Sequence, residues 1–186
     1  MRRILRENGL SIVWLGLFFL TLIFGQSLTG YREYNNDQKD HGRPQITFGE
    51  YVQSPHFVEA TMENWESEFL QMFLFIILTA FLYQKGSAES KKLDEEEAVD
   101  RDPAKSKHKK DAPWPVRKGG LVLKLYENSL SLAFLLLFLV TFMLHAAGGA
   151  RHYNEDQAEH GSPERVTTVQ YLGTSRFWFE SLQNWQ

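Results

Sequence analysis

Three long uncharged blocks, rich in Leu, Phe, Ile and Val, alternate along the chain with strongly polar stretches. Leu10 to Leu28, LSIVWLGLFFLTLIFGQSL, would cover about 28 Å as a helix, enough for the hydrocarbon core of a bilayer. Phe69 to Gln84 covers only about 24 Å, which leaves a buried or re-entrant segment as the alternative to the favoured crossing, in which Trp65 and Ser67 add a turn at one end while Lys85 snorkels at the other. Ser129 to Gly149 is the most apolar block, with His145 as its sole ionisable side chain. The pattern therefore predicts membrane helices at about residues 10–29, 67–84 and 128–148. Ahead of the second block, Ser54 and Pro55 form a helix-start signal, a cap oxygen followed by proline at the first helical position. Phe57, Val58, Met62, Trp65 and Phe69 then fall on one helical face, as in an interfacial helix with Trp65 at headgroup level.

Polar stretches follow the first and third blocks, and they are copies of one another. REYNNDQKDHGRP, Arg32 to Pro44, recurs 119 positions later as RHYNEDQAEHGSP, Arg151 to Pro163, with eight of thirteen positions identical. Upstream, Leu5, Glu7, Asn8, Leu10 and Ser11 recur at a spacing of 120 as Leu125, Glu127, Asn128, Leu130 and Ser131. Downstream, Thr47, Tyr51, Phe57, Asn64 and Trp65 recur, again 120 later, as Thr167, Tyr171, Phe177, Asn184 and Trp185. The slip from 120 to 119 falls inside the apolar run, where an extra residue costs some helix rotation and no loop chemistry. The expected fold is an all-α membrane protein with three transmembrane helices, built from a tandem two-helix repeat whose fourth helix is missing, plus short interfacial helices. Residues 1–84 form the first unit, 85–120 a charged linker, and 121–186 a second, incomplete unit. An even number of crossings separates equivalent positions, so the units should be related by an axis along the membrane normal.

A mean hydropathy of −0.35 and 43% hydrophobic residues would suit a soluble domain, but the segregation of charge outside the blocks overrules the average. The loop Lys85 to Gly120 contains ten Lys or Arg, against three in Arg32 to Glu66 and three in Arg151 to Gln186. By the positive-inside rule the N-terminus and that loop are cytoplasmic and both motif copies are extracytoplasmic, in a multi-pass protein of the inner, or plasma, membrane. A basic start before an apolar run also describes a signal peptide. The run is long for one, no small-x-small cleavage site is clear before Gly30, and an equivalent run recurs in mid-chain. Lys105 to Lys110 has a nucleic-acid-like composition, yet acidic Asp94 to Glu97 and the adjacent bilayer favour lipid headgroups or plain solvation. The expected partner is the bilayer, with a homodimer or another membrane protein beside it, and not nucleic acid.

The candidate site is the repeated motif: Tyr34, Asn35, Asp37, Gln38, His41, Gly42 and Pro44, with Tyr153, Asn154, Asp156, Gln157, His160, Gly161 and Pro163. Asp37 and His41 stand four apart, as do Asp156 and His160, so each pair shares a helical face. Four such groups converging could hold a divalent metal of the Zn, Mn or Fe type or a small polar ligand, and a transporter-like subunit is the further alternative. His, Gly and then Pro, however, reads as the stop of a helix, which favours capping and interhelix hydrogen bonds. Trp65, Lys85 and Trp185 are the expected membrane-interface residues. Glu7 with Asn8 and Glu127 with Asn128 read as helix caps, and His145 as satisfied helix packing with Gln26 at comparable depth in the first block. The chain has no cysteine, no Gly-rich phosphate loop, no HExxH and no GxSxG. No catalytic residue and no cofactor is expected, and the reading is of a non-enzyme.

In RENGLS at Arg6 to Ser11, NWESEF at Asn64 to Phe69, YENSLS at Tyr126 to Ser131 and the two YNxDQxxHGxP copies, the chain resembles a family of small uncharacterised bacterial integral membrane proteins, a domain of unknown function. The resemblance implies two hairpin units and four spans in full-length members, membrane residence, and no assigned activity or ligand.

Overall fold

The computed structural model describes residues 2–93 and 100–185; Met1, Gln186 and the acidic run Asp94 to Glu97 lie outside the described residues. Among the described residues the fold is helical throughout, with no strand. Helix α1 (Arg2–Leu20) passes through a π-helical segment (Thr21–Ser27) into α2 (Leu28–Asp40). After a turn come the short α3 (Phe48–Tyr51) and the long α4 (Pro55–Phe81). A 3₁₀ turn (Pro103–Ser106), α5 (Trp114–Lys118) and α6 (Gly120–Glu127) lead to α7 (Ser129–Glu159), and α8 (Thr168–Tyr171) and α9 (Ser175–Asn184) follow.

Two helices are long and apolar enough to cross a membrane, Arg6–Asp40 and Ser129–Glu159. They contain the first and third expected spans and continue without a break into the motif. Asn8 and Asn128, equivalent positions of the repeat, both leave helical geometry, with φ −127°, ψ 17° and φ −103°, ψ 13°. Asn128 closes the end of α6, its amide donating to the Lys124 carbonyl at 2.8 Å, where the sequence implied a cap for the following helix. Pro55 opens α4 as expected, with the Ser54 hydroxyl accepting from Phe57 N at 3.2 Å. The expected interfacial helix and the second apolar block form one helix of 27 residues, because no Gly or Pro interrupts the chain between His56 and Phe81. Within the expected linker, Ala112 and Val116 are buried with Leu123 of α6.

The chain divides into two compact units, Met1–Thr61 with Ala146–Tyr171, and Met62–His145 with Leu172–Gln186. In the first, α7 presents Gly148 and Gly149 to the start of α4; a Cβ on Gly148 would lie 2.8 Å from Glu59 N. Glycine thus lets two helix backbones approach closely. In the second, aromatic side chains of α7 meet those of α9 and α4: Phe142 lies 5.1 Å from Phe177, Phe138 6.0 Å from Trp185, and Phe134 6.3 Å from Phe69 between ring centroids.

Candidate functional site

Each motif copy ends its helix in the same way. Arg43 N donates to the Gln38 carbonyl at 2.7 Å and Gly42 N to the Lys39 carbonyl at 3.0 Å; in the second copy Ser162 N donates to Gln157 at 2.9 Å and Gly161 N to Ala158 at 3.2 Å. These are the paired bonds of a Schellman cap, which needs a left-handed residue, and Gly42 and Gly161 supply it at φ 68° and 70°. His41 and His160 occupy the cap position. Their Nδ1 atoms lie 2.9 and 2.8 Å from the carbonyls of Asp37 and Asp156, and 3.3 and 3.4 Å from the carboxylates of the same residues. Both imidazoles therefore serve their own helix end, and both are exposed.

Asn35 and Asn154 do the tying. The Asn35 side chain accepts from Ile46 N at 2.8 Å and donates to Ile46 O at 3.0 Å; Asn154 repeats this on Val166 at 2.8 and 2.9 Å. A primary amide matches a peptide group donor to acceptor, so the outgoing chain is pinned back onto the helix it has left. Thr47 and Glu50 then form a capping box for α3, and Thr167 and Gln170 make the same pair of bonds at α8. These caps aim Tyr51 and Tyr171, both almost fully buried, at glycines of the preceding helices: a Cβ would meet the Tyr51 ring from Gly30, and Tyr171 Cε1 at 2.5 Å from Gly149. Tyr34 packs on Tyr51 at 5.7 Å, and Tyr153 on Tyr171 at 6.2 Å.

An ion pair joins the copies to each other. Arg43 of the first meets Glu159 of the second, and Arg43 also donates to the Gln38 side chain at 3.0 Å. Beside it the first unit holds a polar cluster absent from the sequence reading. The buried Glu59 receives the Tyr171 hydroxyl at 3.3 Å and contacts His152, and the His56 ring stands 5.3 Å from that of His152. Burial holds the His56 imidazole below the ordinary histidine range, and the neighbouring His152 pushes the same way.

In the second unit His145 and Glu66 are completely buried. His145 Nδ1 lies 3.1 Å from Glu66 Oε2, and Nε2 faces Glu180 Oε2 at 3.7 Å. Phe177 stacks on the imidazole with centroids 4.9 Å apart, and Arg176 Nε donates to the other Glu180 oxygen at 2.9 Å. Glu63 of α4 bonds to Asn184 of α9. Phe177, Glu180, Ser181 and Asn184 follow helical spacing, so one face of α9 meets Glu63, Glu66 and His145.

The chain belongs to the family described as Domain of unknown function (DUF6766), whose profile matches residues 1–186. No curated protein and no solved structure matches it significantly.

Of the residues that the sequence singled out in this DUF6766 chain, Asn35, His41, Gly42, Asn154, His160 and Gly161 have defined roles in closing the two helix ends. Pro44 and Pro163 are exposed in the outgoing segments. Lys85 is exposed, Trp65 packs on Phe69 at 6.4 Å, and Trp185 packs on Phe138. His56, Glu59, Glu66, His152 and Glu180 went unrecognised. A signal existed for part of this set: Glu59, Glu63 and Glu66 are spaced by four and three, an acidic stripe along a helix otherwise read for its apolar face.

Proposed function

We propose that this DUF6766 chain is an integral membrane protein with a structural or accessory role, its duplicated motif acting as a latch at the extracytoplasmic surface. Each copy fastens a span to the loop that follows, and the copies fasten to each other. The observation that carries this reading is where the motif's polar groups go: Asn35, His41, Asn154 and His160 bond within their own copy, while Arg43 and Glu159 link one to the other.

Membrane residence is supported by an inverted polarity. Large apolar side chains face outward, among them Leu10, Trp14 and Phe24 on the first helix and Leu136, Leu139 and Met143 on α7, whereas Ser27, Glu59, Thr61, Glu66, Thr141, His145 and Ser181 are buried. A protein folded in water would reverse this distribution, and lipid accepts it. The apolar half of α4, with Met72, Leu74, Phe75 and Leu78 exposed, supplies the third crossing of a multi-pass topology. The ten basic residues of 85–120 support a cytoplasmic position for that loop and for the N-terminus, in an inner-membrane protein. A second copy of the chain or another membrane protein is the partner class that the outward apolar faces accept. Reporter fusions test the topology: residue 100 should report from the cytoplasm and residues 45 and 165 from outside, and a cytoplasmic signal at residue 45 would overturn the orientation.

A further inference from the structure

We propose that His145 and Glu180 bind a divalent transition-metal cation within the second compact unit, with Glu66 orienting the imidazole. The site is distinct from the motif latch and does not depend on that reading. A carboxylate only accepts hydrogen bonds, so the 3.1 Å contact between His145 Nδ1 and Glu66 Oε2 puts the imidazole hydrogen on Nδ1. His145 Nε2, on the opposite side of the ring, then points to Glu180 Oε2, and the two potential ligand atoms stand 3.7 Å apart. That separation is too long for an N–H···O bond. It is right for two ligand bonds of about 2.0–2.2 Å meeting at one ion with an obtuse angle. Carboxylate, imidazole and metal in that order is the arrangement by which proteins fix the tautomer and direction of a metal-binding histidine.

Two further observations point to a ligand. His145 Nε2, Glu66 Oε1 and Ser181 Oγ are buried without a hydrogen-bond partner among the described residues, although His145, Glu66 and Ser181 are each fully inaccessible. Buried polar atoms rarely stay unpaired. The repeat also supplies an internal control. The positions matching His145, Glu180 and Ser181 in the first copy are Gln26, Ala60 and Thr61. There Gln26 simply donates to the Thr61 hydroxyl at 3.0 Å. Packing of these helices thus needs only a neutral pair, and the second copy carries an imidazole and a carboxylate instead. Glu180 keeps 17% of its side chain exposed, which gives an ion access from solvent. Arg176 holds the remote Glu180 oxygen and so fixes the direction of the carboxylate that faces His145.

The test uses the full chain in detergent, stripped with a chelator and titrated with Co²⁺ and Zn²⁺, bound metal being counted by elemental analysis and the Co²⁺ environment read from its visible absorption. One equivalent is expected. His145→Gln, which installs the amide found at the matching place in the first copy, and Glu180→Gln should each abolish binding while helical circular dichroism persists. Glu66→Gln should weaken it about 10- to 100-fold, the usual effect of losing a carboxylate behind a metal-bound histidine. The double substitution His41→Ala, His160→Ala should leave it unchanged. Folded wild-type chain that takes up neither ion would overturn the proposal, as would a full equivalent retained by both His145→Gln and Glu180→Gln. If His145→Gln fails to fold, Glu180→Gln, at the accessible edge, still decides between these outcomes.

Discussion

Removing the Asn35 clamp gives the most direct test of the latch. Asn35 is 6% exposed and makes two bonds to one peptide group, at 2.8 and 3.0 Å, which hold the outgoing chain at Ile46. A net bond is worth about 0.5–1.5 kcal/mol, and stranding a buried partner costs more than the bond itself. Ile46 is half-buried, so water can repair part of the loss. Asn35→Ala should therefore cost about 2 kcal/mol. Asn154→Ala should cost a similar amount, since its distances to Val166 are 2.8 and 2.9 Å. The two amides share no partner, so the double variant should lose roughly the sum, about 4 kcal/mol. Asn35→Asp separates donor from acceptor: at neutral pH it sets a second oxygen against the Ile46 carbonyl, and acid, by protonating it, restores a donor. Unfolding in mixed micelles, followed by circular dichroism, measures each loss, and limited proteolysis should cut within residues 42–47 faster in Asn35→Ala. A loss below about 0.5 kcal/mol at both positions would refute the reasoning, because two buried bonds cannot be worth so little unless the clamp is not formed.

Charge reversal at Arg43→Glu should destabilise the protein and Glu159→Arg should recover part of that, with a coupling of about 0.2–1 kcal/mol in a double-mutant cycle because both side chains are partly exposed; zero coupling would mean that the copies are not joined there. Stability should fall on acidification: the unfolded chain protonates His56 near its ordinary value of 6.5, the folded one only at lower pH, so stability is full above that value and lost as pH drops through the lowered one. His56→Gln should flatten this slope in melts run across that range, and an unchanged slope would assign it to other groups. Gly149→Ala should cost about 1–3 kcal/mol, since the new methyl meets Tyr171 Cε1 at 2.5 Å and Glu59 Oε1 at 2.8 Å. In the first copy the methyl of Gly30→Ala overlaps the Tyr51 hydroxyl, so Tyr51→Phe should rescue it in a thermal melt, and absence of rescue would place the strain elsewhere.

Much of the helical framework was legible because its signals are local. Long uncharged runs, Ser54 before Pro55, and a His-Gly pair at a helix end act through neighbours in sequence, and the structure uses each of them. The helix stop at His41 and His160 could be read for the same reason. What escaped is what depends on which helices meet. Glu59, His152 and Tyr171 come from three separate elements, and a carboxylate at position 59 means little until α7 offers two glycines against it. His145 read as packing because nothing nearby in the sequence is acidic; its partners Glu66 and Glu180 stand 79 residues before and 35 after it.

Of the two one-residue slips within the repeat, the one in the apolar run shows how far sequence reasoning carries and where geometry takes over. Asn8 and Asn35 are 27 apart, while Asn128 and Asn154 are 26 apart, so the first apolar run contains one residue more. An extra residue in a regular α-helix turns everything after it by about 100°, which would swing Gly30 and Asn35 off the faces used by Gly149 and Asn154. The structure absorbs the residue locally. Thr21–Ser27 is π-helical, the wider turn that a single insertion produces, and the Ser27 hydroxyl donates five residues back to the Leu22 carbonyl at 2.7 Å. Helix phase is restored by Leu28. Gly30 accordingly still faces Tyr51 as Gly149 faces Tyr171, and Asn35 still reaches Ile46 as Asn154 reaches Val166. Residue identity then sets the charge: Gln26, inside the π segment, donates to the Thr61 hydroxyl, while His145, on α7, stands between Glu66 and Glu180.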